Sequence, residues 1–137
     1  MREKYLSLEM AKKIADAAEK KAIENGIKIV ISIYDNHGNL KYFCRMDETS
    51  YGSIRVSQLK AKTSASFPIS SKTLSERSAK MSANPYVSIP NILLLRGGLP
   101  ILTLDSIHIG AIGISGATLE LDELCAQAGL GAIKNML

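Results

Sequence analysis

Tryptophan is missing from this chain of 137 residues, aromatic residues of every kind make up 5%, and there are only two cysteines, two histidines and four prolines. The scarcity of aromatics removes the stacking platforms that single-strand nucleic-acid binders use, and the modest basic cluster between Arg55 and Lys62 has none interleaved, so the net charge of +4 does not point to nucleic acid. Two cysteines make no disulfide scaffold. Cys44 falls in a strand pattern and Cys125 in a helix pattern, and both read as small buried apolar side chains, reduced and unbridged. His37 and His108 lie far apart, with no cysteine or carboxylate at ligand spacing, so no metal site is expected. No apolar run is long enough to span a bilayer. The start, Met1-Arg2-Glu3-Lys4-Tyr5, is charged and leads straight into a helical pattern without a signal-peptide core, which makes the cytoplasm the expected compartment and a membrane partner unexpected. There is no Walker A loop, Gly110-x-x-Gly113 lies inside a strand pattern, and no nucleophile elbow surrounds Ser115.

What is present is a soluble, globular composition, 46% hydrophobic and 22% charged, at a length that suits one domain over residues 1–137. The chain is organised around residues 96–123, RGGLPILTLDSIHIGAIGISGATLELDE. Two apolar runs, Leu99 to Leu104 and Ile107 to Ile114, are separated only by Asp105-Ser106 and read as a hairpin. Gly97-Gly98 opens the first strand, and Gly110 and Gly113 interrupt the second, where a missing side chain marks a bulge or a close approach by backbone or ligand. Ser115-Gly116-Ala117-Thr118 then leads into an acidic helix start.

Upstream, Ser7 caps a helix with apolar positions Ala11, Ile14, Ala15, Ala18 and Ala22, stopped at Gly26. Isoleucine at every second residue from 27 to 33 predicts a central strand, and Asp35-Asn36-His37-Gly38 supplies the turn to a second strand ending at Asp47. Ser53 to Phe67 reads as a helix with Ile54, Gln58, Ala61 and Ala65 inward and Arg55, Lys60 and Lys62 outside, ended by Pro68. A short helix over Thr73 to Met81, a loop over Asn84 to Pro90 and a short strand over Ile92 to Leu95 follow. Thr118 caps the last helix, which is expected to bury Leu121, Leu124, Cys125 and Ala128. The sum is an α+β domain, an antiparallel five-stranded sheet covered by helices in a PAS-like or profilin-like layered arrangement.

The residues that carry chemistry gather in one polar corner: Arg45, Asp47, Lys60, Gly97, Gly98, Ser115 and Gly116, the last two at a helix N-terminus suited to a carboxylate or phosphate. Each also has an ordinary reading. Arg45 and Asp47 form a surface pair, Lys60 is a solvated helix residue, and Asp122 is a favourable charge near a helix N-terminus.

Several blocks in order, Leu8-Glu9-x-Ala11, Asp35-x-x-Gly38-x-Leu40, Arg45-Met46-Asp47, Lys60-Ala61-x-Thr63, Gly97-Gly98-Leu99-Pro100-Ile101 and Gly110-Ala111-Ile112-Gly113-Ile114-Ser115-Gly116 with Asp122-Glu123, together resemble the GlcG/HbpS-like (haem-degrading) family, related to the C-terminal domain of PduO-type proteins. The resemblance covers nearly the whole chain. It implies a layered αβ fold, a homo-oligomer and, as in some members, haem as the cofactor. His37, His108 and Met46 are the residues of axial-ligand type. Three functions compete. The first is a tetrapyrrole-binding module with Arg45 and Lys60 as propionate partners. The second is an accessory protein of glycolate, diol or glycerol utilisation that binds a small molecule at Ser115-Gly116. The third is a small enzyme acting on a hydroxylated or carboxylate substrate, with Asp47 or Asp122 as general base and Lys60 as electrostatic stabiliser.

Overall fold

The computed structural model describes residues 4–137, so Met1, Arg2 and Glu3 of the charged start lie outside the described residues. Helix α1 (Leu8–Glu24) begins where Ser7 Oγ accepts the Met10 N–H at 3.1 Å, and it buries Ala11, Ile14, Ala15, Ala18 and Ala22, the stripe its spacing predicts. Strands β1 (Val30–Asp35) and β2 (Leu40–Arg45) form the expected hairpin, and Asp35 Oδ1 accepts the N–H groups of His37 and Asn39 across its turn. Helices α2 (Gly52–Ser66) and α3 (Ser71–Lys80) and a 3-10 turn (Pro85–Ser88) lead to β3 (Gly98–Leu102) and β4 (His108–Ser115), followed by α4 (Leu119–Gly131). Thr118 caps α4 by accepting the Leu121 N–H.

The sheet is antiparallel in the order β2-β1-β4-β3. It has four strands, not five, which corrects the reading of residues 92–95 as a strand. The backbone there is satisfied by helix side chains instead of a neighbouring strand: Leu93 N–H donates to Thr63 Oγ1 at 2.8 Å, and the Leu95 carbonyl accepts from Ser71 Oγ at 2.6 Å. The β3–β4 hairpin is present, with a longer connection than Asp105-Ser106. Thr103 and Ile107 close it by a backbone hydrogen bond, and Thr103 Oγ1 also accepts the Ile107 N–H.

β1 and β4 are central and buried on both faces. On one face Ile31, Ile33, Ile112 and Ile114 meet α1 and α4 in the main core. On the other, Tyr34 and Ala111 meet Ala61 and Ala65 of α2. The inward stripe of α2 differs from the apolar one expected: Ser53, Ser57, Lys60, Ala61 and Ser64 are buried, and Ser57 Oγ pairs with Ser32 Oγ of β1 at 2.8 Å. Small side chains fit here because α2 lies almost backbone to backbone on the sheet. A Cβ on Gly113 would run into the Ser57 carbonyl and the Ala61 N–H. α4 is also turned from its expected face, burying Asp122, Glu123, Cys125, Ala126 and Gly129 and leaving Leu124 exposed. Among the described residues no helix is long and apolar enough to cross a membrane.

Candidate functional site

Lys60 is the residue whose surroundings decide what the polar corner can do. Expected on the outside of α2, it is 1% exposed. Its ammonium donates to the Ile114 carbonyl and to Asp122 Oδ2, both at 2.9 Å. The route from α2 to α4 passes the end of the sheet at Gly97. A Cβ at Gly97 would stand 2.8 Å from Lys60 Nζ and 2.8 Å from the Ile114 oxygen, and the residue adopts a φ of +127°. Glycine is therefore required twice over, for the dihedral and for the space. Gly98 follows with ordinary φ, and it is held by the Lys60 backbone above it and by Ser71 Oγ, which accepts its N–H at 2.9 Å. The close approach that these glycines permit is that of α2 and its lysine.

Asp122 completes the arrangement. Its Oδ1 accepts the Ala117 N–H at 3.0 Å, so the amide nearest the Ser115-Gly116 bend is already engaged. Burial pushes the Asp122 carboxyl up from its ordinary value, against the opposing pull of Lys60 and of the Ala117 N–H. Beside it, Glu123 Oε1 lies 3.2 Å from Arg96 Nε in an ion pair without hydrogen-bond alignment, since neither Arg96 Nε nor Glu123 Oε2 has a hydrogen-bond partner. Two pairs, Lys60 with Asp122 and Arg96 with Glu123, thus fasten α4 to the rest of the chain.

Of the expected site residues, Arg45 and Ser115 share one row across the sheet, since both pair with Val30. Two strand spacings put them roughly 10 Å apart. Arg45, Asp47 and Gly116 face solvent, whereas Lys60, Gly97, Gly98 and Ser115 are buried, and Gly98 lies on β3, the sheet edge opposite the β2 of Arg45. The candidate iron ligands scatter. His37 is exposed in the β1–β2 turn, at the far end of β2 from Arg45. His108 begins β4, at the opposite end from Ser115, and its Nε2 is buried without a partner. Met46 is next to Arg45 but packs on the α1 side of the sheet, with its sulfur accepting the Ile29 N–H at 3.4 Å. Among the described residues no group of three or more His, Cys, Asp or Glu side chains converges as metal ligands.

Sequence reasoning missed Ser57, Ser71, Arg96 and Glu123 as parts of this construction. The available signal was the small-residue stripe at positions 53, 57, 61 and 64, which has helical spacing but no hydrophobicity.

Comparison with known proteins agrees with this layout. The family model described as haem degrading protein HbpS-like matches residues 6–131. Protein GlcG of Escherichia coli K12 is 32% identical over 110 residues, covering 80% of this chain and 81% of GlcG. Among solved structures, a double mutant of Streptomyces reticuli HbpS is 30% identical with a TM-score of 0.88, covering 97% of this chain and 90% of that one. The crystal structure of a PduOC:Heme complex is 28% identical with a TM-score of 0.85, covering 95% of this chain and 96% of that one. With the family model matched from α1 to the end of α4, and Lys60, Gly97 and Asp122 of the resembling blocks now seen to meet, this chain belongs to the HbpS-like family of haem-degrading proteins.

Proposed function

We propose that this protein is a ligand-binding module for haem or a related tetrapyrrole, acting as an accessory protein of small-molecule utilisation. The observation that carries the reading is the closure of Lys60 on Asp122. A general acid or base must reach its substrate, and these two groups are spent on each other and on backbone. Of the exposed residues of the corner, Arg45 supplies the cation, and it has no carboxylate within ion-pair distance among the described residues. In this reading Arg45 holds a carboxylate of the ligand at the sheet end. Asp47 and Gly116 flank it, and the buried Lys60, Gly97, Gly98 and Ser115 hold α2, α4 and the sheet in register. Membership of a family described as haem-degrading and likeness to a haem complex support the ligand class.

The iron-donor set does not fit this corner within one chain. His37 is a strand's length away, roughly 17 Å, His108 lies further, and the Met46 thioether points to the other face. The proposal is therefore confined to the ring and carboxylates of the ligand, and no iron chemistry is assigned to these residues.

The protein is also a homo-oligomer in this reading, because α4 turns its carboxylates inward and leaves Leu119 and Leu124 exposed, an apolar surface suited to another copy. Light scattering over a wide concentration range tests this, and a monomer mass throughout would remove it. Ligand binding is tested by titrating haem by absorbance and iron-free protoporphyrin by fluorescence. Saturable uptake of both, weakened several-fold by Arg45→Ala, is expected. No saturable change with either ligand would overturn the proposal, and so would full affinity in the variant.

A further inference from the structure

We infer that the cleft between the C-terminal end of α2, α3 and the 3-10 turn is a second binding site, separate from the haem reading, for a small apolar monocarboxylate. The cleft measures about 260 Å³ and is walled by Phe67, Ile69, Leu74, Met81 and Tyr86, with the Arg77 guanidinium as the single charged group among its lining residues. Arg77 is exposed and has no carboxylate within ion-pair distance among the described residues. An apolar concavity with one cation suits a ligand with an apolar body and one anionic end. Size sets the rest. The volume equals roughly nine waters and lies below the roughly 300–1,000 Å³ of sites for drug-sized ligands, so the occupant has about ten non-hydrogen atoms. A tetrapyrrole does not fit within it.

The cleft is held open by specific contacts. Buried Ser78 of α3 accepts the Tyr86 N–H at 3.1 Å and hydrogen-bonds the Asn84 side chain, which pins the far wall. The Phe67 and Tyr86 rings meet edge to face at 5.1 Å. Ala83 and Asn84, which lead into the 3-10 turn, have φ of +68° and +43°. The Ser78 bond to the Asn84 side chain fixes this left-handed entry to the turn.

The test uses the intact protein labelled with 15N, titrated with benzoate and with the equally shaped neutral benzyl alcohol. Amide shifts from benzoate should fall on residues 67–86, and benzyl alcohol should bind there about tenfold more weakly, the loss expected for one charge-assisted hydrogen bond. Arg77→Gln, on an exposed helix position, should bring benzoate to the level of the alcohol, while Met81→Trp fills the cleft and abolishes both. Benzoate shifts scattered over surface lysines and arginines would overturn the site, as would unchanged benzoate affinity in folded Arg77→Gln protein. Haem titration of the same variants keeps the two readings apart. Unchanged haem uptake supports a separate site, and haem lost together with benzoate would show that the cleft belongs to the haem site and overturn the separation.

Discussion

Lys60 and Asp122 meet at 2.9 Å with side chains 1% and 2% exposed, joining a helix on one face of the sheet to the first turn of a helix on the other. Removing one partner strands a buried charge, which costs about 3–5 kcal/mol. Lys60→Met and Asp122→Asn should each lose stability of that order in urea unfolding, and Lys60→Met/Asp122→Leu should recover a large part of it. A single variant within about 1 kcal/mol of the parent would mean that the pair is not a tie between layers.

The glycines divide by cause. Gly38 has a φ of +83° and open space around it, so Gly38→Ala should cost only the backbone strain, about 1 kcal/mol. Gly113 has no left-handed φ, but its missing Cβ is where the backbone of α2 lies, so Gly113→Ala must push the helix off the sheet. A loss of 3 kcal/mol or more, about the upper end for overpacking, is expected. Thermal melts of the two variants compare them directly, and equal losses would contradict the backbone-to-backbone packing.

Ser32 and Ser57 share a buried hydrogen bond at 2.8 Å between α2 and the sheet. Ser57→Ala leaves the Ser32 hydroxyl without this partner and should cost about 1–3 kcal/mol, whereas Ser32→Ala/Ser57→Ala removes both groups and should be nearly neutral. A double-mutant cycle from chemical denaturation reads this coupling. Additive losses would show that the two hydroxyls are independent.

Cys44 and Cys125 are free thiols, and burial pushes both up, Cys125 to about 11 from an ordinary 9.0, with Asp122 adding to the rise. Above pH 9 the unfolded chain releases the Cys125 proton while the folded chain keeps it, so stability falls as pH rises from about 9 to about 11. The loss is at most roughly 3 kcal/mol. Cys125→Ala should flatten that part of the stability curve relative to the parent. A disulfide reagent at pH 8 should miss Cys125 in folded protein and find two thiols once it is unfolded. An equally steep alkaline decline in the variant would sink the assignment.

Where hydrophobic periodicity and element type coincide, sequence alone was enough. The alanine stripe of α1, the alternating isoleucines leading into β1, the caps at Ser7 and Thr118 and the β3–β4 hairpin follow from residue spacing, because each depends on neighbours a few positions away. The blocks that identify the family were also legible in order, and they named Lys60, Gly97 and Gly98 as residues to watch.

Their partners were decided only by tertiary structure. Lys60 lies 62 residues from Asp122, and nothing local distinguishes it from Lys62, the other lysine of the same helix. Its burial follows from a stripe of serines and alanines that looks polar in sequence but packs closely because it is small. The same long-range pairing rotates α4, turning Asp122 and Glu123 inward and Leu124 outward against the local hydrophobic pattern. Residues 92–95, apolar enough for a fifth strand, remain irregular because Thr63 and Ser71 satisfy backbone groups a neighbouring strand would have taken. Local propensity fixes what a segment prefers; which charge, hydroxyl or glycine it meets is set by contacts across the chain, and those exist only once the layers have closed.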